Sequence, residues 1–162
     1  MKMVTALLAA AVLTGGEASA QDSRSLPYSA CFQSAATLFN VDKRLLVAIA
    51  QTESSLRGHA VGPKNSNGSY DMGIMQINSA WIPTLAKKGI STQQIMDPCT
   101  NIHIGAWILS GNINRHGPVW KAVGAYNAST ASKQVSYVEK VQRNYQLVAP
   151  LMGAAYQTQG RS

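Results

Sequence analysis

Apolar residues recur along the chain at intervals of three and four, the repeat of helices that bury one face. From Ser29 to Phe39 the inward set is Phe32, Ala35, Ala36 and Phe39, with Ser29 able to cap the helix and Asn40 to stop it. Asp42 is a good N-cap for a second helix reaching about Ser55, with Leu45, Leu46, Ile49 and Ala50 toward the core. Leu45, Ile49 and Glu53 follow one another four residues apart, so Glu53 falls on the oily side of that helix. From Arg57 to Asp71 the period gives way to turn formers, and Asn67-Gly68 is the strongest hairpin signal in the chain. A loop this long in a small domain is more often functional than not. Met72 to Asn78 follows as a compact, partly apolar piece in which Gly73 allows close backbone approach.

Helical spacing then resumes. It predicts a helix from about Ala80 to Lys88, capped by Asn78 or Ser79 and closed by Gly89, then a short turn opened by Ser91. Asp97-Pro98 reads as an N-cap followed by proline at the first helical position. That helix should reach about Arg115, with Ile102, Ala106, Leu109 and Ile113 inward, and end at Gly117-Pro118. Val119 to Tyr126 is a short helical segment broken by Asn127-Ala128-Ser129. The last helix spans about Ser132 to Val148, with Val135, Val138, Val141 and Tyr145 as its stripe, and Pro150 ends it. Trp81, Trp107 and Trp120 are read as core anchors. The expected fold is therefore mainly α, a single domain with one small irregular or hairpin lobe facing the Glu53 helix across a cleft.

The first residues change the count of what folds. Met1-Lys2, an apolar run from Met3 to Leu13 and the small residues Ala18-Ser19-Ala20 follow the plan of a secretory signal cut after Ala20. The run is too short to anchor in a bilayer. Residues 1–20 are thus expected to leave, residues 21–150 to form the domain, and residues 151–162, which lack a period, to be a fraying tail. The net charge of +7 is the same with or without the signal. A basic surface suits an anionic partner, but export and the absence of any Lys/Arg run longer than two argue against nucleic acid. In an exported chain the two cysteines, Cys31 and Cys99, read as a disulfide. Closing a loop of about 69 residues contributes ~4 kcal/mol in the chain-entropy model.

Glu53 leaves two readings open. An isolated carboxylate on an apolar face keeps its proton to higher pH and can act as an acid. Alternatively it ends the helix with its head in water or pairs with a buried arginine. Other chemistries find no support: His59, His103 and His116 lack the i, i+4 spacing of a helical zinc site, and no Gly-x-Ser-x-Gly elbow occurs.

Four pieces stand in order: Glu53-Ser54, then Gly73-Ile74-Met75-Gln76-Ile77-Asn78, then Asn101-Ile102 with Gly105, then Ala125-Tyr126-Asn127. Together they resemble the lytic transglycosylases, lysozyme-like enzymes that cut bacterial peptidoglycan, over about Ser29 to Val148. The likeness is nearest to the small members that accompany secretion, pilus and conjugation machines. It implies the helical fold shared with goose-type lysozyme, a periplasmic monomer, peptidoglycan as substrate, machine components as partners, and no metal or organic cofactor. It also implies that Glu53 protonates the bond between N-acetylmuramic acid and N-acetylglucosamine, then serves as base toward the sugar's 6-hydroxyl, giving a 1,6-anhydro end.

The resemblance brings Asp71 in as a second carboxylate, able to stabilise developing positive charge, to support hydrolysis instead of ring closure, or only to bond its own turn. It assigns Met75 and Gln76 to the sugar and its N-acetyl group, although Met75 equally suits a core. Asn78 and Asn127 are sugar contacts or helix ends, and Ser54 is a neighbour of the acid. Tyr126 either orients the Glu53 carboxyl or is a core aromatic with its hydroxyl satisfied. The competing functions are a hydrolase using Glu53 and Asp71 and a wall-binding component without turnover.

Overall fold

The computed structural model describes residues 25–117, 119–127 and 130–153. The proposed signal with its cleavage site at Ala20, the residues Pro118, Ala128 and Ser129, and residues 154–162 of the expected tail lie outside the described residues, while the first tail residues, Leu151 and Met152, belong to a short turn of 3-10 helix, Ala149–Met152, with Met152 buried. Seven helices are described: α1 Ser29–Phe39, α2 Lys43–Ser54, α3 Ile82–Ala86, α4 Thr92–Ile95, α5 Pro98–His116, α6 Val119–Asn127 and α7 Ala131–Leu147. Two short antiparallel strands, β1 Asp71–Met72 and β2 Ile77–Asn78, form a small lobe between α2 and α3. The mainly helical fold with one small lobe is the class expected from the sequence.

The centre is α2. Asp42 caps it through a 3.1 Å bond from the Leu45 N–H, and every residue from Leu45 to Ala50 is buried. A helix apolar on all sides must be surrounded, and α1, α5 and α7 pack around it. The disulfide between Cys31 and Cys99 joins α1 to the first turn of α5, with the Cα atoms 5.2 Å apart. On α7 the inward stripe differs from the expected one. Val135 is 59% exposed, whereas Tyr137, Val141 and the following Val148 are buried. The series Val141 and Tyr145 extends back four residues to Tyr137, not to Val135, so a tyrosine takes the place expected for a valine.

The lobe also differs in detail. Asn67-Gly68 does sit in a tight turn, with Asn65 N–H bonded to the Ser69 carbonyl at 2.7 Å. That turn returns the chain so that Val61 bridges Met72, with the Gly62 N–H bonded to Asp71 O at 2.9 Å and the Gly73 N–H to Ala60 O at 2.7 Å. The described strand pair, however, is one step further on, where Asp71 faces Asn78 around the turn Gly73–Gln76. Two-residue strands are too short to show an alternating pattern.

That turn is buried and tied to the helices by polar bonds. Asn101 on α5, itself 0% exposed, accepts from the Met75 N–H at 2.8 Å and donates to the carbonyls of Met72 at 3.0 Å and Ile95 at 2.8 Å. Gly73 has φ +74°, and a Cβ there would lie 2.4 Å from the Asn101 amide nitrogen. Gly105, one turn along α5, leaves the space that the Met75 side chain fills. Asn101→Ala removes all three bonds and strands the buried Met75 N–H. The expected loss is about 3 kcal/mol of unfolding free energy, read from urea denaturation; a loss below about 1 kcal/mol would show that the turn is held by other means.

Candidate active site

Glu53 lies at the last turn of α2, where the buried helix meets the lobe, and is half-buried. It opens into a cleft of about 660 Å³ whose walls include Asp71, Gln76 and Asn78 from the lobe, Tyr126 and Asn127 from α6, and Trp81. Burial is the main force on its carboxyl and raises the pKa to about 7. The Asp71 charge pushes in the same direction, while hydrogen bonds from Tyr137 and Asn127 favour the ionised form and pull the other way. A carboxyl so placed holds and gives up its proton near neutrality.

Tyr137 was not singled out by the sequence reading, yet its hydroxyl donates to Glu53 Oε1 at 2.5 Å. The signal was its place four residues before Val141 on the buried side of α7. Burial first, then the Glu53 charge, raises the Tyr137 hydroxyl well above the ordinary phenol value, so it stays a donor. Tyr126 does something else. Its hydroxyl donates to the Met75 carbonyl at 3.2 Å, and its ring lines the cleft.

Asp71 is half-buried on β1 and faces the same cleft as Glu53. The Asn78 amide, opposite it on β2, donates to Asp71 Oδ1 at 2.8 Å and to Ser69 Oγ at 3.2 Å, while its own oxygen caps the next turn through Ala80 N–H at 3.0 Å. Asn78 thus positions the second carboxylate and starts the following helical turn. Gln76 lines the cleft but spends its amide hydrogens on the carbonyls of Gly73 at 2.8 Å and Ala60 at 3.2 Å. Only its oxygen remains to accept.

Met75, expected at the sugar, and Ser54, the expected neighbour of the acid, both lie behind the cleft. Met75 is 0% exposed and packs on Gly105. Ser54 is buried, and its hydroxyl donates to the Ile74 carbonyl at 2.7 Å, fastening the end of α2 to the turn. Trp81, read as a core anchor, is half-buried and lines the cleft, stacked edge-on against Trp107 with ring centres 5.4 Å apart. An aromatic face in a cleft of hydroxyl and amide groups is a platform for the apolar face of a sugar ring.

Known proteins resemble this chain. The chain is 44% identical over 120 residues to invasion protein IagB of Salmonella typhimurium, covering 71% of this chain and 74% of that one. It is 38% identical over 124 residues to protein IpgF of Shigella flexneri, covering 74% and 81%. Among solved structures, an inactive variant of lytic transglycosylase Slt from Pseudomonas aeruginosa superimposes with a TM-score of 0.62 at 21% identity, over 78% of this chain and 25% of that one. The likeness to Slt is one of fold, and this chain spans only a part of that protein. The family described as the transglycosylase SLT domain matches residues 30–147, so the chain belongs to that family and is a peptidoglycan lytic transglycosylase.

Proposed function

We propose that the chain cuts the β-1,4 bond between N-acetylmuramic acid and N-acetylglucosamine with Glu53 as the only proton carrier. The observation that supports this most is a half-buried carboxyl with a pKa of about 7 at the inner end of a polar cleft. In the first step protonated Glu53 gives its proton to the glycosidic oxygen, the bond from that oxygen to C1 breaks, and the N-acetylglucosamine hydroxyl leaves. In the second step the Glu53 carboxylate takes the proton of the 6-hydroxyl as that oxygen bonds to C1. The acid is regenerated, no water is consumed, and the product ends in a 1,6-anhydro ring. Tyr137 and Asn127 hold the carboxylate between the two steps, and Asp71 faces the positive charge that develops at C1.

The site of action in this reading is the periplasm, reached by an export signal in residues 1–20 that is removed after Ala20. The likeness to an invasion protein supports a role in opening the wall locally for an envelope-spanning secretion, pilus or conjugation apparatus. A second reading, hydrolysis, draws on Asp71, since two carboxylates in one cleft are the equipment of glycosidases. Mass spectrometry of digested peptidoglycan separates them. Anhydro ends support ring closure, and ends heavier by one water support hydrolysis.

Glu53→Gln should fold normally and lose muropeptide release by about 10²-fold to 10⁴-fold, the usual contribution of a general acid; normal release by this variant would rule the assignment out. The pH profile tests the same group. Because protonated Glu53 is the reactive form, kcat/KM should fall as pH rises through about 7. Tyr137→Phe removes a bond that favours the carboxylate, so the falling limb should move to higher pH. Asp71→Asn removes a neighbouring negative charge, so the limb should move lower. Shifts in the same direction, or no shift, would contradict this account of the site.

A further inference from the structure

The cleft does not end at Glu53. Beyond Asn127 and Lys133, both on its wall, a second cavity of about 290 Å³ runs along α7, lined also by Ser132, Ser136, Tyr137 and Lys140. Tyr137 belongs to both regions, since it lines this cavity and donates its hydroxyl to Glu53. Lys133, Ser136, Tyr137 and Lys140 follow at three, four and seven residues, which puts them on one face of the helix. Both lysines are exposed, and neither is in an ion pair with a carboxylate among the described residues. Two ammonium groups and two serine hydroxyls therefore line a concavity that begins beside the acid. Such a set of donors suits a ligand with more than one carboxylate.

In intact strands the glycan itself does not use this charge, because its hydroxyl and acetamido groups are neutral and the lactyl carboxyl is tied up in an amide. Peptidoglycan carries its negative charge on the stem peptide, joined through the lactyl group at O3 of N-acetylmuramic acid. If C1 of that ring stands at Glu53, O3 lies across the same ring, and the stem must leave the cleft within a ring's width of the acid. On the lobe side it would meet Asp71; on the α7 side it meets Lys133 and Lys140.

We propose that the cavity bounded by Tyr137, Lys133 and Lys140 is a subsite for the anionic stem peptide, whose carboxylates pair with the two lysines. The inference rests on the glycan-cleaving reading above and adds a preference for strands that keep their stems.

Lys140→Glu tests it, since Lys140 is exposed, lies outside the cleft that holds Glu53, and makes no hydrogen bond or ion pair among the described residues. Two substrates are compared, intact glycan strands and strands stripped of stems by an amidase, which keep one lactyl carboxylate per N-acetylmuramic acid but lose the carboxylates further along the stem that the proposal places at Lys140. The ratio of kcat/KM on intact to stripped strands should fall about tenfold in the variant, as expected for reversing one charge next to an anion at a partly screened site. A second measurement needs no turnover. In the Glu53→Gln background, binding of a soluble disaccharide tetrapeptide should weaken about tenfold on adding Lys140→Glu, while binding of the stem-free disaccharide with its lactyl carboxyl amidated should not change. An unchanged ratio with unchanged affinities overturns the proposal, and so do equal losses on both substrates. If the unmutated protein releases nothing from either substrate, the cleavage reading fails, and the binding comparison alone decides on the subsite.

Discussion

The buried turn Gly73–Gln76 is the constraint on which the rest of the structure depends. Its backbone polar groups are cut off from water, so each needs a partner. The partners arrive from different helices: Ser54 of α2 reaches the Ile74 carbonyl, Asn101 of α5 the Met75 N–H, and Tyr126 of α6 the Met75 carbonyl. Satisfying one short turn thereby fixes three helices relative to the lobe. It also explains why the family-like pieces carry polar side chains where the core would otherwise take apolar ones. Ser54, Asn101 and Tyr126 tie the turn down, and without them Asp71 and Asn78 would have no fixed place across the cleft from Glu53.

The same economy shapes the acid. A carboxyl buried without donors would hold its proton too tightly to act as a base, and one in water would lose it too readily to act as an acid. Here burial and the Asp71 charge raise the pKa while Tyr137 and Asn127 lower it, and the balance falls at about 7. The opposing contributions come from separate elements: α2 provides burial, β1 the negative charge, α6 and α7 the donors. The antiparallel packing of α7 on α2 supplies the decisive donor. Arg44 donates to the Tyr145 carbonyl at 2.6 Å at one end of this contact, Tyr137 meets Glu53 at the other, and Asn144 donates to Thr52 between them.

Local signals in the sequence were enough to find the longer helices by their period, although Ser29 is the first residue of α1 and not its cap, a place taken by Tyr28 without a side-chain bond. Asp42, Ser91 and Asp97 cap α2, α4 and α5 as expected, and the inward turn of Glu53 follows from Leu45 and Ile49 alone. What local signals could not carry is whatever depends on a partner distant in the chain. The strands are two residues long and exist because Asp71 meets Asn78 and Met72 meets Ile77. The place of Trp81 in the cleft depends on where the turn after β2 lands. On α7, a stripe of valines read by hydrophobicity pointed to Val135, but a tyrosine whose hydroxyl finds a buried carboxyl is the better occupant of an interior position. The two carboxylates were legible as residues, while the donors that set their behaviour were legible only through the packing of α6 and α7.

The disulfide belongs to the same logic. Cys99 stands two residues before Asn101 in the first turn of α5, and its partner Cys31 is on α1, which packs along both α5 and α2. A cross-link acts mainly by restricting the unfolded chain, more so for a long loop, and this one spans a sequence separation of 68 that encloses α2 and the whole lobe. The enclosed segment contains Glu53, Asp71, Gln76 and Asn78, together with the long irregular loop from Arg57 to Tyr70 that contributes little apolar surface to the core. That loop cannot stabilise itself by burial. Its order follows from being held at both ends, at one by the fully buried α2 and at the other by the turn that Asn101 secures. Placing the covalent tie next to Asn101 strengthens the anchor on which both carboxylates depend, and leaves the cleft wall formed by α6 and α7, where the basic cavity lies, outside the closed loop.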